Sequence, residues 1–317
     1  MTYRLPSIFP TPRHQNVGFY IVNPGSSKPF SVIGTDSIPD LAMWGSNAGQ
    51  FFPRFTWKKA RPADGGLFNT VEAGIDSQTL EASTYGVIGE VVEDYRRVDN
   101  ITPDIKALYR ETLGPDITGD DIFHFVYGKL HDPEYRTKYA ADLKKMLPHI
   151  ETPRTRGEFN KFANAGHRLL DLQVNYEEIE PWPLTIDVTG EEDDRETWRV
   201  TKMAWAKKKD PDTGKIIADL SCLKYNKHIT ISNIPTQANE YMLGSRSALA
   251  WIIERYQIKK DKSSEIVNDP NDWADEAGNP RYIADLIAKI TRVAVETAML
   301  VTCLHYDTNQ VCDETSD

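Results

Sequence analysis

The sequence predicts an α+β fold, with mostly antiparallel β-rich parts, an inserted helical subdomain and C-terminal helices. Short β-branched and aromatic runs fill the first hundred residues, helical periodicity replaces them from about residue 101 to residue 176, and strand-like runs return at residue 183. We therefore expect a β-rich part at 1–98, a helical subdomain at 99–180, and a β-rich and then helical part at 181–317. Together these parts are expected to form one functional region.

The first part is predicted to be a twisted sheet with long loops. Its strand-like runs lie at 17–23, 28–34 and 49–57, and they are rich in β-branched and aromatic residues. Asn-Pro-Gly-Ser-Ser at 23–27 and a Gly/Asn/Ser stretch at 45–49 separate them, and both have the composition of turns.

The middle part is predicted to be helical with its own aromatic core. Thr118 is a candidate N-cap, with Asp121 in the position of an acidic capping box. Pro133 suits the first turn of a second helix, which Pro148 is expected to end. The three predicted helices are 119–130, 133–147 and 158–174.

The last part is predicted to contain four strands, a helix, a long polar loop and a closing helix. Alternation places Trp198 and Val200 on one face of the second strand. In the loop, NDPNDW at 268–273 predicts a rigid turn that Trp273 anchors, with a DNA-facing role left open. The predicted strands are 183–188, 197–206, 215–225 and 227–234, with a hairpin turn at 210–214, helices at 247–256 and 281–301, and the polar loop at 259–280.

Composition indicates an ordinary globular protein. The chain is 40% hydrophobic and 26% charged, with three cysteines, an odd number without a CxxC pair. This pattern argues against a disulfide framework and a cysteine-based zinc site, and it favours the cytoplasm. The N-terminus lacks an apolar run of secretory length, and the most apolar helix candidate carries charged residues at Asp285, Lys289, Arg292 and Glu296. We expect neither a signal peptide nor a membrane span.

The net charge of -10 is unevenly distributed. Residues 1–62 carry a net charge of +5 and residues 195–262 carry +7, which leaves -22 for the remainder. Two basic segments in an acidic chain could form one electropositive face that attracts phosphates. The alternative is that they are solvated surfaces unrelated to each other.

The sequence lacks the catalytic motifs that we sought. It has no Walker A, GxSxG or HExxH motif, and its seven histidines include no pair at i and i+4 that could hold zinc. Asp40, Asp104 and Lys106 match a magnesium nuclease only loosely, and the acidic run at 191–194 is typical of a solvated loop. We expect no catalytic residue, no metal and no cofactor.

Four basic clusters are candidates for contacts with DNA. Lysines in loops can reach phosphates, and neighbouring asparagine or arginine side chains can read base edges. For each cluster alone, a solvated hairpin tip is the competing interpretation. The candidate residues are Lys58, Lys59 and Arg61; Lys207, Lys208 and Lys209 at a predicted hairpin tip; Lys224, Asn226, Lys227 and His228; and Lys259, Lys260 and Lys262.

Four long segments together resemble a known family. They are DIFHFVYGKLHDPEYRTKYAADLKKMLPHI at 121–150, FANAGHRLLDLQVNYE at 162–177, KHITISNIP at 227–235 and SALAWIIERYQIKKDKSSEIVNDPNDW at 247–273. They look like the C-terminal specificity region of type ISP restriction-modification enzymes, which are single-chain, ATP-dependent systems. TDSIPDL at 35–41 and QFFP at 50–53 extend the resemblance toward the N-terminus.

The resemblance implies a bacterial, cytoplasmic target-recognition domain of phage defence. Such a domain binds a specific double-stranded DNA sequence and is not catalytic by itself. The resemblance also implies nuclease, helicase-like ATPase and methyltransferase parts upstream, in cis or in trans, and the NPPY-type motif of that methyltransferase is absent here. It assigns no base-reading residue, because the loops that set specificity vary among members. The alternative is a docking module for separate methyltransferase or ATPase subunits, with the acidic helical block as the docking face.

Overall fold

The computed structural model describes residues 5–40, 43, 49–60 and 80–305. The chain divides into two compact units, Met1–Val174 and Asn175–Asp317. Helices and small sheets alternate along both, and every strand pairing among the described residues is antiparallel. The predicted α+β class is therefore confirmed. The predicted three-part division stays a prediction, and the first β-rich part and nearly all of the helical part lie in unit 1.

Unit 1 contains two three-stranded sheets, with strand orders β2-β1-β3 and β4-β6-β5. The predicted single strand at 49–57 is wrong, because the chain changes sheet at Arg54, whose side chain is buried. A short helix, α1 (Leu5–Ile8), precedes the sheets. The strands are β1 (Gly18–Ile21), β2 (Val32–Thr35), β3 (Gln50–Pro53), β4 (Phe55–Lys59), β5 (Val91–Val92) and β6 (Tyr95–Asp99).

Five helices follow in unit 1. The capping box at Thr118 and Asp121 is confirmed, since each side chain accepts a hydrogen bond from the backbone N–H of the other residue. The single helix predicted at 133–147 is wrong: it is interrupted at Tyr139 and ends early, because Met146 and Leu147 are exposed and give no apolar face to extend it. The helices are α2 (Pro103–Leu113), α3 (Gly119–His131), α4 (Pro133–Lys138), α5 (Ala140–Leu143) and α6 (Arg156–Val174).

The core of unit 1 lies between α3, α6 and the first sheet. Helices α3 and α6 approach closely at Gly128 and Gly166, where a Cβ atom on Gly166 would lie 1.9 Å from a backbone oxygen of α3. The predicted aromatic core is present, with Phe125 stacked on Phe159 at 5.2 Å between ring centroids. Phe19 of β1 stacks on Tyr127 of α3, so the sheet and the helices share one core.

Unit 2 is built on a four-stranded sheet with the order β7-β10-β9-β8. Small hairpins and helices complete it, including a 3-10 helix at Thr236–Asn239. The strands are β7 (Thr185–Val188), β8 (Ala204–Lys209), β9 (Ile216–Lys224), β10 (Ile229–Ser232), β11 (Met242–Leu243), β12 (Arg246–Ser247), β13 (Lys259–Lys260) and β14 (Val267–Asn268). The helices are α7 (Arg195–Trp198), α8 (Ala248–Arg255), α9 (Asn271–Glu276) and α10 (Tyr282–Cys303).

The strand predicted at 197–206 is wrong in its first half. Helix α7 covers the start of that range, and an irregular stretch, 199–203, leads to β8. Trp198, Val200 and Met203 are all buried, so they do not alternate between two faces. Side chains replace the strand partner: Asn271 bonds both the N–H and the carbonyl of Val200, each at 2.8 Å. The predicted polar loop at 259–280 is also more ordered than expected, since it holds β13, β14 and α9.

Helix α10 closes unit 2 and buries Ile283, Leu286 and Ile287. It confirms the closing helix predicted at 281–301. Among the described residues, none of the helices has the combination of length and hydropathy that a membrane crossing requires. The two cysteines that the structure describes, Cys222 and Cys303, form no disulfide with each other.

Candidate nucleic-acid interface

Some basic side chains of unit 1 are buried and serve the fold. The Arg54 guanidinium lies 2.5 Å from an oxygen of Asp99 and 2.7 Å from one of Asp120. Burial alone would raise the pKa of the Asp120 carboxyl, but the charge of Arg54 and hydrogen bonds from Thr84 and Ser83 lower that pKa below its usual value. Lys106, whose ammonium lies 3.0 Å from Asp99, supplies the second positive charge, so these groups neutralise one another inside the unit and are not available to a ligand.

Other basic side chains of unit 1 are exposed at the end of β4. Lys58 and Lys59 are both exposed, and Lys58 lies directly opposite Arg96 of β6. Opposite residues of an antiparallel pair share a face, so Arg96 adds a cation next to Lys58. Sequence reasoning did not single out Arg96, although the Arg96-Arg97 pair was a visible signal. Arg61 lies outside the described residues.

Unit 2 gathers three basic segments around the irregular stretch 199–203. The side chain of Asn226 donates a hydrogen bond to the carbonyl of Arg199 at 3.0 Å, which fixes the turn after β9 to this stretch. The backbone N–H of Ile258 donates to the carbonyl of Thr201 at 3.2 Å, which fixes the start of β13 there. Strand β8 begins immediately after the stretch. Three predicted clusters thus emerge from one part of unit 2: 207–209, 224–228 and 259–262.

All the hydrogen-bonding capacity of the Asn226 side chain is taken up by partners within the protein. Its amide nitrogen donates to the carbonyls of Thr197 and Arg199 at 2.8 and 3.0 Å. Its amide oxygen accepts from the backbone N–H groups of His228 and Ile229, both at 2.8 Å. Because an amide has two donor hydrogens and two acceptor lone pairs, no capacity is left for a base edge. Asn226 therefore shapes the turn that carries its basic neighbours.

Those neighbours differ in exposure. Lys227 is exposed, His228 is half-buried, and the exposed Lys224 donates to Thr230 Oγ1 at 3.0 Å. None of the three makes an ion pair with a residue that the structure describes. Beside Lys227 and His228 lies an open cleft of about 610 Å³, lined by both basic and acidic residues. The turn presents positive charge at the rim of this cleft.

Strands β8 and β9 extend beyond the sheet as a two-stranded hairpin. The register between them is interrupted after Trp205, which pairs with Leu223, because the next residue, Ala206, pairs with Asp219. Strand β10 pairs with β9 only at Leu223 and Lys224. Beyond the interruption, four residues of each strand, 206–209 and 216–219, pair only with each other among the described residues. We call residues 206–219 the ribbon.

The turn predicted at 210–214 is confirmed at the tip of the ribbon. The Asp210 carboxylate accepts hydrogen bonds from the backbone N–H groups of Thr213 and Asp212, at 2.8 and 2.9 Å, and these bonds lower the pKa of Asp210 below its usual value. Gly214 supplies the positive φ of +68° that the turn needs. Lys207, Lys208 and Lys209 are the last residues of β8, just before the tip rather than at it.

The hairpin of β13 and β14 carries the third cluster. The ammonium of Lys259 lies 3.3 Å from Glu254, and that of Lys260 lies 3.4 Å from Glu265. Lys262 is exposed in the turn. In that turn the Asp261 carboxylate accepts hydrogen bonds from Ser264 and Ser263, which hold its pKa well below the usual value. Exposed ion pairs of this kind contribute little to stability, so the lysines stay available to stronger partners.

The turn predicted at 268–273 is confined to Asp269 and Pro270, because Asn268 ends β14 and α9 begins at Asn271, and its tryptophan is not an anchor. The Asp269 carboxylate pairs with Arg199, and Asn271 bonds the backbone of Val200. The prediction for Trp273 is wrong, since this residue is 58% exposed. The two polar side chains hold the turn instead.

Among the described residues, no group of three or more histidine, cysteine, aspartate or glutamate side chains could hold a metal ion.

A family model described as the Type ISP C-terminal specificity domain matches residues 1–286. The chain belongs to this family. The match confirms the family that the sequence resembles, and it extends over the N-terminal β-rich part of the specificity domain, which the sequence motifs cover only weakly. No curated protein is similar enough in sequence to count as a match.

Three solved structures resemble this specificity domain along almost its whole length. An ATP-dependent Type ISP restriction-modification enzyme, LlaBIII, bound to DNA, is 26% identical over 96% of the chain, with a TM-score of 0.72. A nuclease-deletion mutant of the Type ISP enzyme LlaGI, in complex with a DNA substrate mimic, is 29% identical over 94% of it, with a TM-score of 0.65. A DrdV-DNA complex is 26% identical over 97% of it, with a TM-score of 0.68.

The specificity domain is short beside these structures. It spans 17% of the LlaBIII chain, 18% of the LlaGI chain and 26% of the DrdV chain. The activities of the whole enzymes therefore belong to much longer proteins.

Proposed function

We propose that this specificity domain recognises a particular sequence of double-stranded DNA for a restriction-modification system. The observation that carries the proposal is the gathering of three basic segments around residues 199–203 of unit 2. Membership of the specificity-domain family and similarity to enzymes bound to DNA support it. The proposed contacts to phosphates come from exposed lysines of the clusters at 224–228 and 259–262, and from Lys208 of the ribbon.

The charge distribution agrees with this role despite the net charge of -10. Segment 195–262, which contains all three clusters, has a net charge of +7. Lysine and arginine side chains release counterions from DNA when they contact phosphates, so a local excess matters more than the total. In unit 1, Lys58, Lys59 and Arg61 are proposed as a further contact, and Arg96 joins Lys58 on its face of the strand pair.

We infer that the domain neither cuts nor methylates DNA by itself. The sequence contains none of the catalytic motifs sought above, and the solved relatives are much longer proteins. Nuclease, ATPase and methyltransferase parts would then act in cis or in trans in the cytoplasm, and this domain would choose their target.

Fluorescence anisotropy of a labelled random duplex, titrated with the 317-residue chain over a range of salt concentrations, tests the proposal. The test variant is Lys259→Gln, Lys260→Gln, Lys262→Gln. The matched control, Lys138→Gln, Lys144→Gln, Lys145→Gln, makes the same charge change at exposed lysines in and just after the short helices of unit 1.

We expect binding that weakens as a power of salt concentration. Three lost phosphate contacts should reduce the slope of log K against log salt by about 2 to 3, because each contact contributes about 0.9. The control variant should keep the wild-type slope. Absence of duplex binding at low salt, or equal losses in both variants, would contradict the proposal.

A further inference from the structure

We propose that the ribbon enters the major groove and reads bases through one face, the face that carries Lys207, Lys209 and Ile216. This inference rests on the proposed function. It departs from the sequence-based expectation, which gives all three lysines of the 207–209 cluster to phosphates. The ribbon, not the turn at 226–228, would then be the element that determines specificity.

The two faces of the ribbon are chemically different. Side chains alternate along a strand, and directly paired residues share a face. The pairing therefore places Lys207 with Ala218 and Lys209 with Ile216 on one face, which we call the reading face. The opposite face carries Lys208, whose ammonium lies 3.3 Å from Asp219.

Cations on the reading face have no carboxylate beside them. Neither Lys207 nor Lys209 makes an ion pair with any residue in the described part of the chain, whereas Lys208 does. The Asp210 carboxylate, next to Lys209 in sequence, accepts two backbone hydrogen bonds of the turn. Two uncompensated ammonium groups on one strand face suit a partner with closely spaced acceptors and negative charge, which duplex DNA provides.

An exposed apolar side chain lies directly opposite Lys209, in the last strand pair before the turn. Ile216 is 66% exposed although it sits in a regular strand pair. Its exposure exceeds the 38% of Ile217, which pairs with Lys208 on the opposite face, and it leaves the side chain of Ile216 accessible for a contact. In the major groove the matching apolar group is the methyl of thymine, and a lysine ammonium can bond O6 and N7 of guanine.

The dimensions of the ribbon also match the groove. Four residues per strand lie beyond the register interruption. At about 3.3 Å per residue they extend about 13 Å, and the turn adds to this. The major groove is about 8.5 Å deep and about 12 Å wide, and it admits a two-stranded ribbon. The free part of the ribbon is long enough to reach the base edges while the sheet stays outside.

The test compares the two faces by single substitutions. Selection from a random pool of duplexes first gives the preferred sequence of the wild-type chain. Lys207→Gln, Lys209→Gln and Ile216→Ala are then compared with Lys208→Gln, a control that removes the same charge from the opposite face. All four residues are exposed, so the variants should fold, which circular dichroism checks.

We expect each lysine variant of the reading face to lose discrimination at one guanine-containing base pair, by roughly 5- to 150-fold, the range of a specific base contact. Replacing that guanine by 7-deazaguanine should weaken the wild-type chain but not the corresponding variant. Replacing one thymine by uracil should likewise affect the wild-type chain and not Ile216→Ala. Lys208→Gln should weaken binding to preferred and random duplexes by the same factor.

Two results would overturn the inference while leaving the proposed function intact. Unchanged sequence preference in all three reading-face variants would show that the ribbon does not read bases, as expected if it packs against another part of a longer protein. A changed preference in Lys208→Gln alone would show that the opposite face reads. If the wild-type chain binds no duplex, the proposed function fails, and the inference fails with it.

Discussion

Unit 1 buries its key cation between carboxylates, whereas the ribbon of unit 2 displays its cations to solvent. Arg54 is 1% exposed and contacts both Asp99 and Asp120. In contrast, Lys207 and Lys209 are exposed and make no ion pair with the residues described by the structure. Both regions come from segments that are basic in sequence, at +5 and +7. A candidate binding face is therefore located by the cations that the fold leaves uncompensated, not by the number of basic residues.

The largest expected effect is at the buried cation. Arg54→Met should lower the free energy of unfolding by about 3 to 5 kcal/mol, because it leaves Asp99 and Asp120 buried without their main partner. Urea-induced unfolding followed by circular dichroism measures the loss. Lys58→Met, four residues further along the chain, is the control, and it should change stability by less than about 0.5 kcal/mol. Equal losses of unfolding free energy in Arg54→Met and Lys58→Met would show that the buried cation is no more important for stability than the exposed one.

The interior of unit 1 also predicts a pH dependence. Burial lowers the pKa of His124 to about 4, with a contribution from His167, and burial lowers the pKa of His131 to about 3. In the unfolded chain both would bind a proton near pH 6.5, so below that pH the unfolded state binds more protons and stability falls. We expect each histidine to contribute about 2 kcal/mol to the loss between pH 7 and pH 5, measured by urea unfolding at each pH.

The matched variant for this prediction is His124→Gln. It should unfold with a shallower pH dependence than the wild-type chain between pH 6.5 and pH 4, because one of the two groups no longer titrates. A wild-type stability that is constant across this window would contradict the burial-driven shift.

A smaller effect is expected at Asn226, a polar residue that sequence reasoning assigns to DNA. Asn226→Ala should destabilise unit 2 by about 1 to 3 kcal/mol, because backbone groups of Thr197, Arg199 and His228 lose their partner. Lys227→Ala next to it should leave the free energy of unfolding nearly unchanged. Differential scanning calorimetry of the two variants makes the comparison. A larger loss from the lysine variant would reverse the roles assigned to the two residues.

The smallest effects are expected in the ribbon. Lys207→Gln and Lys209→Gln should change the free energy of unfolding by less than about 0.5 kcal/mol, because they remove no packed or paired group. Lys208→Gln should cost at most a few tenths of a kcal/mol, since its ion pair with Asp219 is exposed to water. Urea unfolding in parallel with the DNA-binding measurements separates binding from stability. A loss above 1 kcal/mol in any of the three would show that the ribbon is part of the core structure.

Features that depend on near neighbours in sequence could be predicted. The capping box of Thr118 and Asp121, and the turn at 210–214, each involve residues within a few positions of one another. The prediction of a strand at 197–206 was wrong because it depends on a residue that is distant in sequence. Its backbone is bonded by Asn271, which is 71 residues away from Val200, and periodicity carries no information about such a partner.

The candidate site also depends on contacts that the sequence does not reveal. The sequence identifies four basic clusters as candidates, but it cannot tell which of their side chains form hydrogen bonds within the folded protein. Asn226 and Lys227 are adjacent, yet one is saturated by hydrogen bonds within the protein and the other is exposed. Lys207 and Lys208 are also adjacent, and only the pairing of β8 with β9 assigns them to different faces. Arg96 enters the site only because β6 pairs with β4.

The register interruption between Trp205 and Ala206 has a consequence for how new specificities arise. Because side chains alternate, adding or deleting one residue in β8 beyond this point would move the side chains of β8 to the opposite face of the ribbon, while those of β9 would stay in place. Lys208 would then replace Lys207 and Lys209 on the reading face, while the core around Leu223 would be untouched. Under the proposed reading of bases, a single codon gained or lost there would change which β8 side chains face the DNA, without any change to the scaffold.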